Sequence, residues 1–329
     1  MGRALAFALF SLSLSLPCSP EPVELRRAGD RIDVLIGGRP FTTYYFGTAA
    51  AKPYMSPLRS ARGTLVTRAF PMADIAGEDH DEPHQRAMYF GHGDINGYDF
   101  WGEAEFARWS RHPVSTFGRT VFRQLDTTRG RADAGTLRAG FNLTTSNGTV
   151  IGTETQAYSF IGDGHLRIID CEFTLHADHG PLKIGDTKEG TFAIRLVKAL
   201  EPPAAHMINS AGATGEKAIW GRRADWVDYH GDVAGESVGV AIFDSPRNQP
   251  HPAYWHARHY GLLSVNPFGL RTFLHDRHQD GSYLIPADGS LTLRYRVFIH
   301  DGDVREASVA QAYTEYAENE KRNQNGIGR

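Results

Sequence analysis

The chain has 329 residues, a formal net charge of -3 and 41% hydrophobic residues, the balance of a globular protein with enough apolar residues for a sizeable core. A charge this close to neutral excludes the electrostatic basis for binding nucleic acid or an anionic membrane, since both require clustered Lys and Arg. Only two cysteines occur, Cys18 and Cys171, so an internal disulfide framework or a cysteine metal cluster is excluded once the leader is removed.

The first twenty residues, "MGRALAFALFSLSLSLPCSP", carry Arg3, an apolar run from Ala4 to Leu16 and a break at Pro17. This is the pattern of a secretory signal (residues 1-20), and it predicts a secreted or periplasmic protein. Pro17 before Cys18 disfavours a lipoprotein signal, and no later segment is long and apolar enough to span a bilayer. From residue 21 onward, alternation with a period of two dominates. "RIDVLIGGRPFTTYYF" reads as a hairpin turned at Gly37-Gly38. In "LRIIDCEFTLHA", Ile169, Cys171, Phe173 and Leu175 share one face, and Asp170, Glu172, Thr174 and His176 share the other. "SVGVAIFD" reads as a buried strand, and "LTLRYRVFIH" repeats the alternation through Leu291, Leu293, Tyr295, Val297 and Ile299. A helix is predicted only near "VREASVAQAYTEYAENEKR". Strands separated by Gly, Pro, Asn and Asp, with one terminal helix, predict an all-β antiparallel sandwich forming a single domain over residues 21-329.

Polar and aromatic residues concentrate in four blocks. The first is "DEPHQRAMYFGHGDINGYDFWGE", where His84, Arg86, His92, Asp94, Asn96, Asp99 and Trp101 lie among glycines. Phe90 and Phe100 are expected to lock this segment into the core while His92 and Asp99 face a cleft. The second is "DTKEGTFAIRL", with Asp186, Lys188, Glu189 and Arg195. The third, "WGRRADWVDYHG", holds Trp226, Asp228 and Tyr229, and the fourth, "WHARHYGLLSVNPFG", holds His256, Arg258, Tyr260 and Asn266. Sugars expose apolar C-H faces and rings of hydroxyls, so their sites combine aromatic platforms with Asp, Asn, Arg and His. The blocks supply that combination. His92 and His256 are the natural proton-transfer groups near neutral pH, and Asp99, Asp186 and Glu189 are the candidate carboxylates. Arg86, Arg195 and Arg258 would orient carboxylates or substrate oxygens through their planar forks. The remaining residues would bind substrate. No glycine-rich nucleotide loop follows a strand, so no cofactor is expected. These residues predict an exported carbohydrate-active enzyme of the glycoside hydrolase or sugar epimerase type. A non-catalytic carbohydrate-binding protein is the alternative, and the oligomeric state is left open.

The same blocks, in the same order over about residues 60-275, resemble the signature blocks of a bacterial family labelled methane oxygenase PmoA-like, a family of unknown function. The resemblance implies exported proteins encoded among sugar-catabolic enzymes, with a fold similar to the supersandwich of galactose mutarotases. The family pattern has D-H-P-H-H-R where this chain reads Asp81-Glu82-Pro83-His84-Gln85-Arg86, and D-H-P where it reads Asp244-Ser245-Pro246. Three histidines are thus Glu82, Gln85 and Ser245 here, which argues against a histidine-bound metal. Methane oxidation is not carried over, because that enzyme subunit is an integral membrane protein and this chain lacks spans.

Overall fold

In the computed structural model, which describes residues 19-109 and 113-326, the alternating segments become two eight-stranded antiparallel sheets. The first sheet has the spatial order Val23–Ala28, Arg31–Ile36, Arg39–Tyr45, Tyr54–Met55, Met88–His92, Gly190–Arg195, Leu262–Asn266 and Tyr254–Trp255. The second has the order His206–Asn209, Trp226–Val233, Glu236–Asp244, Ser290–Asp301, Leu166–His176, Val150–Gly162, Gly135–Thr144 and Arg119–Gly130. A small pair, Leu182–Ile184 with Tyr283–Ile285, stands apart. The predicted hairpin turns where expected, with Gly37 at φ 59° and Gly38 at φ 73°. A two-residue turn with both φ values positive matches the twist of the flanking strands.

The inner faces of the sheets form one core. Ile169, Cys171, Phe173 and Leu175 are buried there with Leu293, Tyr295, Val297 and Ile299 from the neighbouring strand. Across the interface Phe90 stacks on Phe173 at 4.3 Å, and Phe192 on Tyr295 at 5.2 Å. Burying each such ring stabilises the sandwich by about 1.5–3 kcal/mol. Phe100 is also core, its ring filling the space that a Cβ at Gly118 would occupy.

The outer face of the second sheet carries an apolar stripe of Trp226, Phe243 and Phe298, and the helix Val309–Gly326 covers it with Val309 and Tyr316. The helix starts later than its sequence suggests. Asp303 accepts the N–H groups of Arg305 and Glu306, so the preceding residues form a capped turn instead.

On the first sheet, Met88, Phe90, Phe192, Ile194, Leu263 and Val265 point into the sandwich. The alternate residues Tyr89, Ala193 and Leu262 therefore face outward, where Trp101, Tyr54 and Tyr260 pack against them. This outward face positions the candidate site.

Candidate functional site

Tyr89 is central to the outward face. Its ring lies 4.9 Å from that of Trp101, and Lys52 Nζ sits over it at 4.8 Å. Lys52 is itself buried, donating to Trp101 O at 2.6 Å and to Glu103 Oε1 at 3.1 Å. Glu103 also accepts two donors of Arg86, Nε at 2.8 Å and Nη2 at 2.9 Å. Burial pulls the Lys52 ammonium below its ordinary range; it works against the Glu103 charge, but Lys52 and Arg86 outweigh it and hold that carboxyl low. The triad therefore fixes the aromatic wall from behind. His84 closes one side, its ring edge-on to Trp101 at 6.4 Å, and burial followed by the Lys52 charge pulls it down to about 3.

Opposite stand Glu189, Lys188, His256 and Tyr260. His256 is 1% exposed, and its Nδ1 lies 3.0 Å from Lys188 O. A carbonyl only accepts, so Nδ1 carries the proton and Nε2 is left with its lone pair. Burial depresses this imidazole to about 4, which makes it neutral at physiological pH. Glu189 pairs with Lys188. Burial works against its charge, but His256 and Lys188 outweigh it and hold the carboxyl below the usual range. Glu82 shifts the other way, raised first by burial and then by the Glu189 charge. Tyr260 is clasped between two guanidiniums, Arg195 at 4.6 Å and Arg258 at 5.2 Å, while burial raises its hydroxyl to about 12.

Among the buried polar atoms of this cluster, Tyr89 Oη, Trp101 Nε1 and His256 Nε2 have no hydrogen-bond partner; Arg195 Nε has none either, and Arg258 Nε has only its ion pair with Glu216. Buried polar groups are paired in the great majority of cases. A set of unpaired ones around an ionised carboxylate is what a built ligand site provides. The arrangement can donate two hydrogen bonds, accept at a bare imidazole nitrogen, and take a proton at Glu189.

The structure brings together His84, Trp101, Lys188, Glu189, Arg195, His256, Arg258 and Tyr260 from the sequence-derived candidates. Within that group Arg195 is scaffold, fully buried and donating to Gln85 Oε1 at 2.7 Å and Asp81 Oδ1 at 2.9 Å. Arg86 serves through Glu103. Other candidates lie elsewhere. His92 follows the parity of Phe90 into the sandwich, donates Nε2–H to Gly185 O at 2.8 Å and meets Phe268 edge-on, so it does not face the cleft. Asp99 accepts the N–H groups of Trp101 and Gly102, each at 2.8 Å. Asp186 accepts those of Arg271 and Gly281. Asp94 caps a turn at Gly97, and Asn96 clips the strand Leu182–Ile184 through Pro181 O and Lys183 N–H. Asn266 holds Thr187 O and Phe268 N–H. All five bond to backbone groups, Asp94 and Asp99 within their own turns and Asn96, Asp186 and Asn266 to segments distant in sequence, so their polar atoms are engaged by the scaffold.

The third block is on the second sheet. Trp226 is under the C-terminal helix, and Asp228 is buried between His230 at 2.6 Å and His300 at 2.9 Å. Tyr229 is buried in the main core, its hydroxyl donating to Arg258 O at 3.0 Å. Sequence reasoning missed Tyr89, Lys52 and Glu82. For Tyr89 the signal was present: in "AMYFGH" the residue between two core positions of a strand must face the other way. Among the described residues no three His, Cys, Asp or Glu side chains converge to hold a metal ion, and no helix is long and apolar enough to cross a membrane.

The fold and site define an all-β antiparallel sandwich with a polar and aromatic cluster on the outward face of one sheet. The chain belongs to a family of unknown function, DUF6807, whose model matches residues 31–314. No curated protein matches it. Among solved structures it is similar to a galactose mutarotase-like protein from Clostridium acetobutylicum, with 10% identity, 86% of this chain and 99% of that one covered, and a TM-score of 0.44. A putative aldose 1-epimerase from Klebsiella pneumoniae subsp. pneumoniae matches with 11% identity over 89% of this chain and 87% of its own, at a TM-score of 0.43. The GH36 alpha-galactosidase AgaB from Geobacillus stearothermophilus matches with 12% identity and a TM-score of 0.44 over 87% of this chain, which spans 42% of that larger protein.

Proposed function

We propose that this protein is a carbohydrate-active enzyme, of the glycoside hydrolase or sugar epimerase type, acting through Glu189 and His256 on a sugar held against Tyr89 and Trp101. The observation that carries the reading is the set of unpaired buried atoms, Tyr89 Oη, Trp101 Nε1 and His256 Nε2, around the ionised Glu189. A sugar matches it chemically: its hydroxyls both donate and accept, and its C-H faces suit the aromatic wall.

Proton transfer is supported by the opposed shifts of two neighbouring carboxyls, Glu189 lowered and Glu82 raised. Groups whose environments push their pKa values apart divide naturally into base and acid. Glu189 takes a proton from a substrate hydroxyl or an attacking water, and Glu82 returns one to the departing oxygen, with neutral His256 accepting a hydrogen bond from the substrate. The metal oxygenase that the PmoA-like label suggests finds less support. Of the positions where that pattern has histidine, Gln85 is engaged by Arg195, and Ser245, which follows the second-sheet strand Glu236–Asp244, donates to Glu320 of the C-terminal helix.

Export belongs to the same proposal. It is supported by the apolar leader, which lies outside the described residues, and the mass of secreted chain, starting near about residues 19–21, tests it. The function is tested by a glycan screen scored for binding, for new reducing ends and for solvent-hydrogen exchange into the sugar. Glu189→Gln is expected to lower turnover by about 10²–10⁴-fold with binding retained, the range for a positioned proton-transfer group. Binding without turnover in the native protein would overturn the enzymatic reading.

A further inference from the structure

A second cleft adjoins the site. Its volume is about 520 Å³, and it is lined by Glu216, Lys217, Trp220, His259 and His275, within the roughly 300–1,000 Å³ usual for ligand clefts. Its floor is aromatic. The Trp220 ring lies 5.5 Å from Phe273 and 5.6 Å from His275, tilted 34° to the latter. Its rim is polar, with Glu216, Lys217 and the exposed His259 ring.

Two contacts join this cleft to the Glu189 site. Trp220 meets the His256 ring edge-on at 6.4 Å. Glu216 pairs with Arg258 at 3.0 Å, and that guanidinium covers Tyr260. The lining of this cleft therefore rests on His256 and Arg258, which belong to the Glu189 site. Trp220 Nε1 is a further buried donor with no partner, the same feature that marks the Glu189 site. His275 holds a left-handed backbone at φ 51°, a conformation that non-glycine residues hold mostly where surrounding structure or function demands it.

We propose that the cleft at Trp220 is a second sugar subsite, so that the substrate is a glycoside or oligosaccharide of at least two rings, one at Glu189 and the next beside Trp220 and His275. This rests on the carbohydrate reading of the Glu189 site. Trp220 Nε1–H donates to a hydroxyl of the second ring, and the rim residues bind its remaining oxygens.

The experiment is calorimetric titration of the full chain with glucose, xylose, mannose and galactose, and with cellobiose, xylobiose, mannobiose and lactose. The expected result is a disaccharide that binds at least about ten-fold tighter than its component monosaccharide, the scale of one aromatic anchor at an interface. Trp220→Ala and His275→Ala should each erase that gain and leave monosaccharide affinity unchanged. The His275 ring is exposed, so its variant remains informative should loss of the Trp220 packing on Phe273 impair folding. Equal affinity for one and two rings, with monosaccharide binding that still weakens in Tyr89→Phe, overturns the subsite and leaves the Glu189 reading standing. No binding of any sugar overturns both.

Discussion

Replacing Tyr89 by phenylalanine should make the protein more stable and its sugar binding weaker. Tyr89 is 2% exposed, and its hydroxyl has no hydrogen-bond partner. Burying an unpaired hydroxyl costs about 1–3 kcal/mol. Phenylalanine removes that atom but keeps the ring, and with it the Trp101 contact and the position of Lys52 over the ring face. Tyr89→Phe should therefore gain about 1–3 kcal/mol, seen as a rise in Tm of roughly 2–6 °C for a domain of this size. The cost falls on function, because a neutral hydrogen bond worth about 0.5–1.5 kcal/mol to the ligand is lost, a weakening of roughly 2- to 12-fold. Urea denaturation and thermal melts of both proteins, paired with titration of the sugar identified in the screen, read the two effects separately. A Tyr89→Phe protein that is less stable than the native one and binds sugar equally well would refute the reasoning. The hydroxyl would then have a protein partner, and the convergence of unpaired atoms would lose its meaning.

Three further outcomes are expected. Burial holds His256 at about 4, and Glu189 lies below the ordinary carboxylate range; both act unprotonated, so the acid limb of kcat/KM should lie well below neutrality, with the fall as pH drops through about 4, while the alkaline limb belongs to Glu82, which must keep its proton. An acid limb centred near the ordinary histidine value of about 6.5 would contradict this. His92→Ala frees Gly185 O and should cost about 1–3 kcal/mol in denaturant unfolding, with sugar affinity unchanged because Asn266 and Asp186 still tie the same loop; a loss of affinity at full stability would return His92 to the site. Asp228→Ala leaves His300 buried without its partner and should cost about 3–5 kcal/mol without affecting sugar binding. Burial opposes both charges of this pair, yet the hydrogen bonds win: those of His230 and then His300 lower Asp228, and that of Asp228 raises His300. The aspartate's share is present above its unfolded pKa of about 4 and lost as pH falls through its lower folded value; the histidine's share is full below about 6.5 and lost as pH rises through its higher folded value. The stability gap between native protein and variant should thus be widest at about pH 4–6.5, and a gap that grows in alkali would show that His300 is neutral.

What the sequence determined by itself is what depends on neighbours along the chain. The alternation of Ile169, Cys171, Phe173 and Leu175 specified a half-buried strand, and Gly37-Gly38 specified a tight turn, because side-chain direction and φ are set within a few residues. The polar and aromatic blocks were legible too, and Glu189, His256, His84 and Trp101 in them do meet. Their partners were decided by tertiary structure. The site forms because strands Met88–His92, Gly190–Arg195 and Leu262–Asn266, distant in sequence, become neighbours in one sheet, and no local pattern encodes that order. The same pairing turns Tyr89 outward and carries Lys52, a lone cation in "AAAKPY", beneath it. It also separates residues that look alike in sequence. Asp99 and Glu189 are both acids beside glycines and aromatics, yet Asp99 lies within reach of two backbone N–H groups and caps them, whereas Glu189 lies between Lys188 and His256, which hold its carboxyl ionised. Which need a side chain meets, that of its own backbone or that of a ligand, depends on what folding brings against it.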